Sequence, residues 1–110
     1  MTIQNEIKKL EELGRMPDES QNNLDSKIID LYADLLKNTE KPVNFEEAKI
    51  LVKLFPEFGL FGVEWTLLHL LESVCSEIDE NKYTQLISEC PSEEWRETML
   101  QRLENKKQLQ

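Results

Sequence analysis

VEWTLLHLLESVCSE, Val63 to Glu77, is the stretch on which the fold turns. Val63, Leu67, Leu70, Leu71 and Val74 recur at steps of one, three and four, which places them on one face of a helix. A half-buried strand would need alternation at steps of two. Trp65, His69, Glu72 and Ser76 follow at steps of four, three and four, so they make a second stripe beside the apolar one. That stripe holds the only histidine of the chain. Whether His69 and Glu72 form a chemical site or part of the packing largely decides whether this protein is an enzyme.

The same periodicity extends outward in both directions. Upstream, PEFGLFG (Pro56 to Gly62) breaks the helical pattern with one proline and two glycines. It carries Phe58, Leu60 and Phe61, so the loop is expected to pack down onto the core; exposed, these aromatics would be a second contact patch. Before it, Asn44 and Glu47 have the spacing of a capping box, followed by Ala48, Leu51, Val52 and Phe55 on one helical face. Leu24, Ile28, Leu31, Tyr32 and Leu35 predict a helix that stops ahead of Pro42. Ile3, Ile7, Leu10 and Leu13 predict another, with Thr2 as its cap and Gly14 as its end. RMPDESQNN between those two reads as a loop.

Downstream, Asp79 is positioned to cap a helix from about Glu80 carrying Tyr83, Leu86, Ile87 and Cys90. After Pro91 and Ser92, Trp95, Met99 and Leu103 at steps of four predict a last helix, with residues 105–110 as a frayed tail. No stretch alternates as a strand. The expectation is an all-α domain over residues 1–110, about six short helices packed as antiparallel hairpins, either a small bundle or a short solenoid-like stack.

Composition bounds the function. Hydrophobic residues are 39% of the chain and charged residues 32%, the balance of a globular domain rather than a disordered tail. No apolar run approaches the roughly 20 residues of a membrane span. The N-terminus is charged and amphipathic rather than a secretory signal, so a cytoplasmic location is expected. Two cysteines, Cys75 and Cys90, lie in apolar helical patterns and are expected to be free buried thiols.

The net charge of −9 is unevenly spread. Residues 57–104 hold eleven acids against three bases. Such a field opposes nucleic-acid binding, which draws on Lys and Arg contacts to phosphate. It favours encounter with a basic protein. Acidic solubility is the simpler account of the same charge.

The chemistry-bearing patterns are sparse. A zinc site needs three protein ligands, and His69 with Glu72 supplies two. Cys75 lies six residues after His69, on another helical face. No GxSxG, P-loop or GxGxxG occurs, and three glycines leave no glycine-rich phosphate cradle. No catalytic residue, metal or cofactor is expected. The favoured account of His69 is a half-buried ring bonded to a neighbour. Arg102 is placed to pair bidentately with Glu72. If that pair is buried, losing one partner costs roughly 3–5 kcal/mol.

TLLHLLES, Lys82-Tyr83, Cys90-Pro91, Glu94-Trp95 and RLEN (Arg102 to Asn105), in that order, resemble a bacterial immunity-protein family of polymorphic toxin systems, the immunity protein thirty type. The resemblance covers residues from about 55 to 105. It implies an all-α intracellular protein that binds and neutralises a toxin domain without being an enzyme. His69, Glu72, Trp95, Arg102 and Asn105 then shape the fold.

Read from the residues, an acidic contact surface is expected in the C-terminal half. Its candidates are Glu77, Asp79 and Glu80 at one junction, and Glu93, Glu94 and Glu97 at the start of the last helix. Glu93 and Glu94 also suit a helix N-terminus through its dipole. The expected partner is a cognate toxin domain with a basic, nuclease-like surface. A non-enzymatic helical adaptor is the alternative, and an enzyme built on His69 and Glu72 the third.

Overall fold

Local chemistry starts two helices where the residues predict it, at Asn44 and Asp79, and a third at Asp25, which the sequence pattern does not single out. Asn44 Oδ1 accepts from the Glu47 N–H at 2.8 Å, and Glu47 Oε1 accepts from the Asn44 N–H at 3.0 Å, closing the capping box. Asp79 Oδ1 accepts from the Lys82 N–H at 2.8 Å, and Asp25 Oδ1 from the Lys27 N–H at 2.9 Å. The computed structural model describes residues 2–108. The helices are α1 (Asn5–Leu13), α2 (Ser26–Lys37), α3 (Phe45–Leu51), α4 (Val63–Glu72), α5 (Glu80–Ser88) and α6 (Glu93–Gln108). Tight 3-10 turns continue α3 over Val52–Leu54 and α4 over Ser73–Ser76. Among the described residues there is no strand, and no helix is long and apolar enough to cross a membrane.

Three expectations about element ends and faces are corrected. Thr2 does not cap α1; the helix begins after Gln4, whose N–H donates instead to Glu47 Oε2 at 2.9 Å. One buried carboxylate thus joins the starts of α1 and α3. Leu31 is 41% exposed, and Leu36 takes its place in the core. Leu31 precedes Tyr32 by one residue, which turns it about 100° away from the buried face. α6 runs on through residues 105–108, which the sequence pattern places in a tail; residues 109 and 110 lie outside the described residues.

The first four helices form a ring of contacts: α1 packs on α2 and α3, and α4 on α2 and α3. Ile7, Leu10, Leu51, Phe55, Leu67 and Leu71 are fully buried within it. Gly14 ends α1 at φ +80°, a backbone conformation that disfavours a side chain. Beside it the Tyr32 hydroxyl donates to the Gly14 carbonyl at 2.8 Å, fixing α2 to the end of α1. α5 and α6 pack on each other, and Lys107 near the end of α6 meets Glu80 at the start of α5, so this hairpin is antiparallel.

α6 is also bound to α4, and in parallel. Trp65 meets Trp95 edge to face, with ring centroids 5.1 Å apart. Two turns further along both helices, Glu72 meets Arg102. Equal spacing on the two helices means one register and one direction.

Candidate partner-binding surface

The loop from Pro56 to Gly62 is expected to fold inward, and half of it does. Pro56, Gly59 and Leu60 are buried, whereas Phe58 is 60% and Phe61 64% exposed. Trp65, one turn into α4, is 44% exposed. Only five large apolar side chains among the described residues are exposed, and three of them stand between positions 58 and 65.

This loop is held from both sides of its backbone. Asp18 Oδ1 accepts from the N–H groups of Phe58 at 2.7 Å and Gly59 at 3.0 Å. Glu64 Oε1 accepts from Leu60 at 2.7 Å and Gly62 at 3.0 Å, and Glu19 Oε1 from Phe61 at 3.1 Å. Every N–H from Phe58 to Gly62 therefore ends on a carboxylate. On the carbonyl side, the Ser92 hydroxyl donates to Glu57 at 2.7 Å, the Trp95 indole to Phe58 at 2.9 Å and the Glu19 N–H to Gly59 at 2.8 Å. Gly59 gives this convergence its room: a Cβ there would lie 2.8 Å from Glu19 Oε1 and 2.9 Å from Glu64 Oε2, so both carboxylates would have to shift.

Asp18 is the most perturbed acid. Burial pushes its carboxyl up, but hydrogen bonds from the Ser20 hydroxyl and from the N–H groups of Gly59, Phe58 and Ser20 outweigh that. Together they hold it far below the usual carboxylate range. Asp18, Glu19 and Glu64 were not singled out from the sequence. Asp18 with Ser20 has the pattern of a local side-chain turn, which is a legible signal. Its contacts to Phe58 and Gly59, forty residues away, are not.

The acids predicted to bind a partner fall into two groups. Glu93, Glu94 and Glu97 are all exposed at the start of α6. With Glu57 and Phe58 they line one open depression, shared with Arg15 and Arg96. Glu94 and Glu97 also line a second depression, beside Trp65. The two bases are turned onto backbone carbonyls: Arg15 Nε donates to Phe55 at 2.7 Å, and Arg96 to Cys90 at 2.7 Å. Glu77, Asp79 and Glu80 belong to the opposite end of α6. From Glu93 to Lys107, the partner of Glu80, is roughly 20 Å of helix at about 1.5 Å per residue. Asp79 caps α5 and Glu80 pairs with Lys107 at 2.7 Å, so two of these three acids are engaged within the chain.

His69 is not a half-buried, bonded ring. The residue is exposed, and its ring makes no hydrogen bond among the described residues. Glu64, Leu67, Leu68, Leu70 and Leu71 bury a wide arc of α4, and His69 falls in the middle of the remaining arc between Trp65 and Thr66. Glu72 is committed elsewhere. Arg102 Nε donates to Glu72 Oε2 at 2.8 Å and a second guanidinium nitrogen to Oε1 at 2.9 Å, as predicted. These bonds raise the pKa of Arg102 above its ordinary value. The pair is not fully buried, its side chains being 39% and 28% exposed, so the larger cost of a buried pair does not apply.

The remaining motif residues are split. Trp95 is buried, stacked on Phe55 with centroids 5.4 Å apart. Asn105 is exposed and accepts from Gln101 at 3.0 Å on its own helix. Cys90 is buried and Cys75 half-buried, both free, and burial pushes both thiols up. Among the described residues no three metal-ligating side chains converge. No family model, curated protein or solved structure matches this chain.

Proposed function

We propose that this protein is an inhibitor of the immunity type, which binds and neutralises a cognate toxin domain through its acidic surface. The observation that supports it best is the start of α6. There Glu93, Glu94 and Glu97 stand exposed at the rim of two adjoining depressions, with no ion pair among the described residues. An acidic rim of this kind complements the basic surface of a nuclease-like toxin. It speeds encounter more than it adds affinity. Speed is what a protein guarding its own cell needs. A cytoplasmic location belongs to the same reading. The ordered motif from His69 to Asn105 supports it as a resemblance, with Trp95 and the Glu72–Arg102 pair holding α6 in register on α4. No catalytic role is assigned to His69 and Glu72, because Arg102 occupies both carboxylate oxygens.

The test is to express the tagged chain with the product of the neighbouring reading frame. Co-purification and rescue of growth at low and high salt are then measured. Stable capture with rescued growth is the expected result, with association slowed by salt. Capture without any toxicity to rescue favours the adaptor reading, since the same surface would serve a partner that is not a toxin. No capture at all sinks the proposal.

A further inference from the structure

Phe58 and Phe61 have no role in the core, yet the chain spends much of its polar chemistry on presenting them, and beside them Trp65 packs one edge on Trp95 while leaving 44% of its surface exposed. Phe61 stands at φ +51°, in the left-handed region that an aromatic residue rarely occupies. Asparagine or glycine suits that backbone better. The side chain is nonetheless phenylalanine, and it points to solvent. An exposed apolar residue with a left-handed backbone, on a loop whose N–H groups from Phe58 to Gly62 all end on carboxylates, is an observed outlier from which function can be argued.

We infer that Phe58, Phe61 and Trp65 are the anchors of a docking surface for a cationic protein partner. This inference deepens the immunity reading and rests on it for the identity of the partner. The occupant is argued from charge. Phe58 and Trp65 line the two depressions that share Glu94 and Glu97, and Glu57 and Glu93 extend the rim. Aromatic faces beside carboxylates suit arginine and lysine side chains, which stack on the rings while the acids take their charge. Trp and other aromatics are the side chains most often found at the energetic centre of an interface. A loop already held by five carboxylate bonds loses little conformational freedom on binding. A second copy of the chain is disfavoured, because two such acidic rims repel.

Two measurements test this on the full chain. The first titrates an amphipathic arginine–leucine peptide, and its counterpart with every arginine replaced by glutamate, against the isotopically labelled protein. The indole N–H signals report separately on exposed Trp65 and on Trp95, which donates to Phe58. The cationic peptide is expected to shift the Trp65 signal, and the acidic one not. High salt and the double substitution Phe58→Ala/Phe61→Ala should each remove most of the effect. The second measures binding of the captured toxin partner. The same double variant should raise the dissociation rate about tenfold or more. Glu93→Gln/Glu94→Gln/Glu97→Gln should mainly slow association. Phe61→Asn relieves the left-handed backbone, so weaker binding by a variant that melts no lower excludes misfolding as the cause.

Equal binding of both peptides overturns the inference, as does an unaltered dissociation rate in the aromatic variants. Self-association of the free protein that Phe58→Ala/Phe61→Ala abolishes would assign the surface to a second copy and overturn it too. Peptide binding at Trp65 with no toxin partner leaves the surface standing and the immunity reading refuted. Toxin capture that ignores the aromatics does the reverse.

Discussion

Asp18 shows how one carboxylate can decide a loop. Its folded carboxyl titrates below the ordinary 3.8, so near that value the unfolded chain binds more protons than the folded one. The stability it contributes is present above that ordinary value and lost as pH falls beneath it, toward the folded value. Asp18→Asn places an amide donor where one oxygen accepts from the Ser20 N–H and hydroxyl. We expect a loss of about 2–3 kcal/mol at neutral pH, measured by denaturant unfolding. The gap between the two proteins should narrow below the ordinary carboxylate value; a gap that persists unchanged into acid would mean the charge is not the cause. Phe61 carries the opposite expectation. Phe61→Asn should raise stability by up to about 1 kcal/mol, because asparagine tolerates its left-handed backbone and no core packing is lost. A lower melting temperature would show that the exposed ring contributes to the fold.

At the scale of elements, the parallel register of α4 and α6 is the feature that assembles the surface. It places Trp95 under the loop and Glu94 and Glu97 beside Trp65. The Glu72–Arg102 pair locks the far end of that register. A double-mutant cycle of Glu72→Gln and Arg102→Gln should give a coupling of about 1 kcal/mol, the upper range for a partly exposed pair. A coupling near zero would leave the register to Trp95 and its neighbours alone. The pair was legible in the sequence because Glu72 falls on the Trp65–His69 stripe of one helix and Arg102 on a helix able to meet that stripe. Capping at Asn44 and Asp79 was legible for a similar reason, since donor and acceptor are three residues apart. The exposure of His69 was not, because Leu68 and Glu64 widen the buried arc of α4 only once other elements pack against both sides of it.

At the scale of the whole molecule, the charge is the dominant field. The chain carries −9, and most of that lies beyond residue 56. Association with a basic partner should therefore slow steeply as salt rises, while dissociation changes little. Stopped-flow association across a salt series checks this; a rate indifferent to salt would remove electrostatic steering from the account. The same field divides into two acidic ends about 20 Å apart along α6, of which only the one at Glu93 adjoins exposed aromatics. Charge counted along the chain could not make that distinction, because Glu80 meets Lys107 only after α5 and α6 fold together.

The sequence by itself determined an all-α chain, the capped starts of α3 and α5, the core stripe of α4 and the sign of the surface. Each of these rests on neighbours within one or two turns, where spacing translates directly into contact. Only the tertiary structure decided that Phe58 and Phe61 face solvent. PEFGLFG is apolar enough to be buried, and its residues alone give no reason for exposure. Asp18 and Glu19 from one loop, Glu64 from the next helix, Ser92 just ahead of α6 and Trp95 in it take its backbone hydrogen bonds and set which side chains turn outward. Those partners come from segments up to about forty residues away, and only folding brings them together.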